Sequence, residues 1–526
     1  MRFRRIIPGL LALTVCIPLS GCDLPDPAET SDTVSDQKDN RFNTAELKDK
    51  ASALQEIWSN PDSEAEAELL IKDMLDAVND AYAINMRAQI AYYADWNDPE
   101  LSQFYHDTTA DYYIADSIVQ WTFANGCQRS AYPDIFAAYA DTQNLEYYSI
   151  NSLTRAIADA RNDAAGQSKL LEDYYSIAYD EEAALDETNA KCAEIYLNLL
   201  GDYDVSEALY DYYDRDYTAE EASEVFRIVT EKFVPLRDAL KEQLGGDSAE
   251  ILSKSVDIDP YAELKKYAPR LGENVAESVT KLFSESLYTE AVGVNCYDGS
   301  FTVNLPGEQT ALMYTFLNDD YLDFITVTHE FGHFHSDWRD TTPVCLQSMN
   351  LDIAEAQSQS MVTMFLPYYP DIFGSDAELY QQAVLFDLLD SLIAGFAVGE
   401  FEYTVTQRLD DISPDETAAL FNEIMETCGQ DLELYQITHL FEQPGYYVSY
   451  GVSALPALEM YTMVNEDFRN AASVYDKLSS YSCMSGEYHF RDIMQECGLS
   501  DFFDPDALDA LAETISAQIG AVTIEQ

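Results

Sequence analysis

The chain has 526 residues, with 95 Asp and Glu against 29 Lys and Arg, for a formal net charge of -66. Such a surface excludes nucleic acid as a partner and electrostatic adhesion to an anionic membrane, because both need clustered basic side chains. It leaves room for a cationic substrate, and the length suffices for one large enzyme body or two packed domains.

Residues 1–21 read as a bacterial signal peptide. Arg2, Arg4 and Arg5 precede an apolar run from Ile6 to Leu19 that is too short to span a bilayer in a mature protein. It ends in Leu19-Ser20-Gly21-Cys22, which resembles a lipoprotein lipobox and makes Cys22 the expected lipidated first residue of an extracytoplasmic, membrane-anchored body. Residues 22–44 are rich in Asp, Pro, Ser and Thr and predict a flexible acidic tether. Of nine cysteines, seven lie beyond Cys22, none spaced as a zinc knuckle. Cys127 with Cys192 and Cys483 with Cys497 are the disulfide pairings considered.

From 45 to 285 the pattern predicts helices. Ser63 and Glu66 have capping-box spacing, and Ile71, Met74, Leu75, Val78 and Tyr82 then recur at helical intervals. Further amphipathic runs cover Asp111 to Ala124, Ala183 to Leu200 and Ala219 to Leu244, and their many tyrosines read as core rings with hydroxyls near the surface. The texture changes at 286, where a second region runs to 526. Alternation on either side of Asp298-Gly299 predicts a hairpin, and Thr310 to Leu317 predicts a third strand, together a small antiparallel sheet. Asn318-Asp319-Asp320 then start a helix carrying His329-Glu-Phe-Gly-His333.

On that helix His329 and His333 lie about 40° apart on one face and one turn apart along the axis, the geometry two imidazoles need to share one zinc ion. Glu330 flanks them, where its carboxylate reaches a water on the metal rather than the metal itself. His335 lies about 200° from His333 and is expected at the surface or in an outer hydrogen bond. A third ligand is needed. Glu355, 22 residues beyond His333 in an amphipathic run, is the leading candidate, with Asp352 either the fallback or the partner that orients a ligand histidine. A later stretch, His439-Leu-Phe-Glu-Gln-Pro-Gly-Tyr-Tyr-Val-Ser-Tyr450, offers neutral donors for a carbonyl oxygen that becomes negatively charged during amide hydrolysis.

The HEFGH helix, the run around Glu355 and the His439 to Tyr450 stretch together resemble the thimet oligopeptidase and oligoendopeptidase F family of zinc metallopeptidases. The resemblance implies one zinc ion held by His329, His333 and Glu355, Glu330 as general base, and His439, Tyr447 and Tyr450 as groups that bind the substrate carbonyl. It implies a mainly α fold with a small antiparallel sheet beside the zinc helix, and a deep channel that admits short peptides. In this frame the strand Thr310 to Leu317 is similar to an edge strand that pairs with substrate backbone. Ser336 and Val362 stand where many members carry a further histidine and glutamate. The expected function is a zinc-dependent oligoendopeptidase acting on short peptides outside the cytoplasm. The alternatives are a non-catalytic peptide-binding lipoprotein and a zinc carboxypeptidase. Oligomeric state is not legible in the sequence.

Overall fold

The structure is a computed structural model and describes residues 41–140, 145–178, 183–200, 210–245 and 254–522. The signal segment, Cys22 and residues 22–40 of the expected tether lie outside the described residues. The tether's last residues belong to the folded body: Arg41 bonds Asp107 and Asp111, and Asn43 caps a helix that begins at Thr44. Among the described residues no helix is long and apolar enough to cross a membrane, and none of the seven cysteines beyond Cys22 is in a disulfide.

The first half is built from long helices: α1 (Thr44–Ile57), α2 (Glu64–Ala94), α3 (Pro99–Arg129), α4 (Leu153–Ala178) and α5 (Ala219–Gln243). The face predicted for α2 is buried throughout, since Ile71, Met74, Leu75, Val78 and Tyr82 are each at most 5% exposed. These side chains form a core with α3, which in turn packs on α4. Ser63 does not cap α2 with its side chain; its hydroxyl is taken by Asn60 Nδ2 at 2.9 Å. A complete capping box forms instead at Thr218 and Glu221, starting α5.

Three strands follow: β1 (Tyr288–Ala291), β2 (Phe301–Leu305) and β3 (Thr310–Phe316), in the order β1-β3-β2. The sheet is mixed rather than antiparallel, because β1 runs parallel to β3 while β2 and β3 form the hairpin across Pro306–Glu308. The Asp298-Gly299 turn does not join two paired strands. Its loop is fastened to the end of α2 instead, with Trp96 N donating to Asn295 O and Tyr297 N to Tyr93 O, both at 2.8 Å. Tertiary hydrogen bonds thus override a strong local hairpin signal. β3 is the middle strand, so it cannot serve as the expected edge; β1 and β2 are the edges.

The alternation along β3 explains how the halves join. Ala311 and Met313 face a second, larger core, whereas Tyr314 faces the core of α2 and α3. That larger core holds α6 (Leu322–Asp337), α7 (Leu351–Met364), α8 (Ala377–Thr406), the single turn α9 (His439–Glu442) and α10 (Val448–Glu466). The sheet is therefore a layer shared by two cores, and β2 lies against α6.

Candidate metal centre

The crossing of α6 with α7 is set by one glycine. A Cβ on Gly332 would lie 2.6 Å from Ser358 Cα, closer than a side chain tolerates, so the HEFGH helix approaches α7 at backbone distance only because this position is bare. Glu355 sits one turn before Ser358 and is thereby brought against His329 and His333.

The three side chains converge on one point. His329 Nε2 lies 3.1 Å from His333 Nε2 and 3.3 Å from Glu355 Oε2, and His333 Nε2 lies 3.6 Å from the same oxygen. All three are buried. Four-coordinate zinc with bonds of 2.0–2.1 Å separates its ligand atoms by about 3.3 Å, so these atoms fit such an ion without rearrangement. Two imidazole nitrogens and a carboxylate oxygen are also the donor set a borderline-soft divalent ion accepts. The group can hold a metal ion.

The electrostatics point the same way. Burial disfavours the charged form of His333, but the facing Glu355 carboxylate, its hydrogen bond and Glu330 outweigh that and raise His333 to about 9. Burial works against ionised Glu355 as well, and the positive field of His333 with the imidazole hydrogen bonds overcomes it, holding the carboxyl well below its usual range. Concentrated negative charge facing two imidazoles deep in the protein is a pairing a cation satisfies.

Glu330 stands beside this group and is wholly buried. Thr302 Oγ1, on β2, lies 2.8 Å from its Oε2 and 3.1 Å from its backbone oxygen, whereas Oε1 has no hydrogen-bond partner. Burial pushes Glu330 up to about 8, against the lowering effect of His333 and Thr302.

The His439 to Tyr450 stretch closes over the other side. Tyr446 Oη donates to Glu355 Oε1, and Ser358 Oγ reaches Oε2 at 3.2 Å. His439 Nε2 lies 3.4 Å from Tyr450 Oη, and the Tyr447 ring is centred 5.8 Å from His439 and 5.1 Å from Tyr450. Burial raises Tyr446 and Tyr450 well above the ordinary phenol value, helped by the Glu355 charge, so both remain neutral donors.

The structure thus brings His329, Glu330, His333, Glu355, His439, Tyr447 and Tyr450 into one neighbourhood. Of the expectations for nearby residues, that for Asp352 does not hold, and that for His335 holds as an outer hydrogen bond rather than as a surface position. Asp352 neither joins the group nor orients a histidine; it is turned to Arg215, whose Nε lies 3.7 Å from Oδ1 with both side chains fully buried. His335 does face away from the cluster, but it is buried rather than at the surface, with Ser278 Oγ 2.8 Å from Nδ1 and Ser479 Oγ 3.2 Å from Nε2. Two residues escaped sequence reasoning. Tyr446 was hidden beside the more conspicuous Tyr447. Thr302 had a usable signal, since the strand Phe-Thr-Val-Asn-Leu carries polar residues at alternate positions, and that face meets α6 rather than water: Asn304 Nδ2 likewise donates to Asp337 O at the end of α6, at 2.5 Å. Two cavities lie elsewhere: one of about 560 Å³ is bordered by Trp338 and Lys281, and one of about 630 Å³ by Arg41 and Arg87.

No family model matches the chain, and no curated protein matches it in sequence. Solved structures do. One described as an oligoendopeptidase F superposes with a TM-score of 0.73 at 17% identity, covering 91% of this chain and 97% of its own. Another, described as an oligoendopeptidase F from Bacillus anthracis, gives 0.72 at 17% identity, over 92% and 97%. The M32 carboxypeptidase of Deinococcus radiodurans gives 0.56 at 13% identity, over 86% and 99%. At these identities the likeness establishes the fold, which is that of the oligoendopeptidase F structures over nearly the whole length.

Proposed function

We propose that the chain is a zinc-dependent peptidase that cuts short peptides internally. The observation that carries this reading is the placement of a buried carboxylate with one unpartnered oxygen, Glu330, directly beside three atoms spaced for one metal ion. A non-catalytic binding protein has no use for that arrangement. The shared fold, common to oligoendopeptidase F structures and to an M32 carboxypeptidase, supports the peptidase reading. The cell-surface setting, with Cys22 lipidated, rests on the first 22 residues of the sequence.

Held by His329 Nε2, His333 Nε2 and Glu355 Oε2, a zinc ion would supply a Lewis acid that polarises a peptide carbonyl and acidifies water. Glu330 acts through its free Oε1 while Thr302 fixes Oε2, so the carboxylate has one defined position. It accepts the proton of the attacking water and returns it to the departing amine, a role matched by an affinity for protons near neutral pH. Tyr450, with His439 and Tyr447, offers neutral donors to the carbonyl oxygen as charge builds there. Tyr446 fixes Glu355 through the carboxylate oxygen that faces away from the histidines.

Digestion of a mixed peptide library, with products read by mass spectrometry, tests the reading. Cleavage between internal residues that stops when a chelator is added is the expected result. Release of single C-terminal residues would move the assignment to a carboxypeptidase, and intact peptides in the presence of zinc would end it.

A further inference from the structure

One buried carboxylate takes no part in this chemistry. Glu442 ends the turn α9, three residues after His439, and is 3% exposed. Its Oε1 accepts from Tyr175 Oη on α4, but Oε2 has no hydrogen-bond partner, and among the described residues no Lys or Arg pairs with it. An ionised, half-satisfied carboxylate at this depth is unfavourable unless something cationic completes it.

Its surroundings suit such a group. Glu442 lies in the field of Tyr93, Tyr105 and Tyr175. Trp96 and Tyr297 extend the cluster, with Trp96 centred 5.8 Å from Tyr175, Tyr297 4.5 Å from Tyr93, and Tyr105 6.1 Å from Tyr93. Aromatic faces around a carboxylate attract ammonium and guanidinium groups. Trp96, Tyr105 and Tyr175 are partly exposed, so the cluster is open on one side. One turn before Tyr93 on α2, Gln89 is fully buried and turned toward the Tyr93 hydroxyl. Burial, with a smaller contribution from the Asp298 carboxylate, lifts Glu442 to about 7 against the hydrogen bond from Tyr175.

The cluster also adjoins the metal centre. Tyr93 is centred 5.8 Å from Phe301, and the next residue on β2 is Thr302, which holds Glu330. On the other side His439, on the same turn as Glu442, is centred 4.6 Å from Tyr446, the tyrosine bonded to Glu355.

We infer that Glu442, walled by Tyr93, Tyr105, Tyr175, Trp96 and Tyr297, is a subsite that receives a cationic group of the bound peptide, either a basic side chain or the free amino terminus. This rests on the peptidase reading for the nature of the ligand. It assigns the acidic cluster between the two cores a part in selecting which peptides bind.

Binding measured by calorimetry, on zinc-loaded protein carrying Glu330→Gln so that nothing is cut, tests it. The probes are neutral hexapeptides in which one arginine is moved along the chain, each paired with its citrulline counterpart, and a further pair with free or acetylated amino termini. At one position, or at the terminus, the charged member should bind about tenfold or more tightly. Adding Glu442→Gln, which keeps the shape and the acceptor for Tyr175, should abolish that ratio. A ratio near one at every position, or one that survives Glu442→Gln, would overturn the inference; a preference confined to arginine or to the free terminus identifies which group is received. Hydrolysis is not read in this experiment, so failure of the wild-type protein to cut any peptide would count against the peptidase reading alone.

Discussion

Glu330→Gln should leave zinc bound one to one and lower kcat for peptide hydrolysis by about 10³- to 10⁴-fold, equivalent to roughly 4 to 5.5 kcal/mol of barrier. The amide matches the carboxylate in size and its one oxygen can still accept from Thr302 Oγ1, so the packing of β2 on α6 is retained. What disappears is the basic oxygen that takes a proton from water and carries it to the amine. KM should change little, because Glu330 binds the moving proton and not the peptide. Metal analysis of the variant beside its kinetics separates loss of the base from loss of the ion. A variant with undiminished kcat would remove Glu330 from the chemistry.

The same chemical change at the neighbouring buried carboxylate should have the opposite metal phenotype. Glu355→Gln keeps the shape and one acceptor oxygen, for Tyr446 or for Ser358, yet it removes the only formal negative charge among the three converging atoms. A neutral amide oxygen is a poor replacement for carboxylate on zinc. This variant should lose its zinc on dialysis against a weak chelator that leaves the Glu330→Gln protein loaded, and its hydrolysis should fall to background. Retention of stoichiometric zinc would show that the ligand set is drawn wrongly. The pair of substitutions is informative because both are isosteric, both are buried, and only position relative to the histidines differs.

These assignments were legible to different degrees in the sequence. His329, Glu330 and His333 carry their geometry in their spacing, since a helix fixes where positions four apart must lie. Glu355 required a second helix to cross the first, and the sequence marks that crossing only through Gly332, whose missing Cβ admits Ser358. The face of α2 was legible because its burial follows a single period. The sheet was not. Asp298-Gly299 has the local chemistry of a hairpin turn, but the bonds from Trp96 and Tyr297 that anchor its loop join residues some two hundred positions apart, which no local pattern encodes. Strand order fails for the same reason, and with it the expectation that Thr310 to Leu317 forms an edge.

Polar residues at buried positions were the hardest to assign. Asp352 has spacing suited to the metal site, yet the buried guanidinium of Arg215, on a distant segment, claims it. Thr302 and Tyr446 act on the two carboxylates through single hydrogen bonds whose existence depends on how β2 and the His439 stretch dock. Glu442 reads in the sequence as an unremarkable acid in a motif, and only its burial among tyrosines from α2, α3 and α4 gives it a role. A period along one element predicts which face is buried; it does not predict which partner arrives there.

Titration of the metal-free protein with zinc tests the central claim most directly, with bound metal and peptide hydrolysis measured in the same samples. Hydrolysis should rise in proportion to zinc and reach its plateau at one ion per chain. Activity that is already full without metal, or a chain that takes up no stoichiometric zinc, would contradict the account.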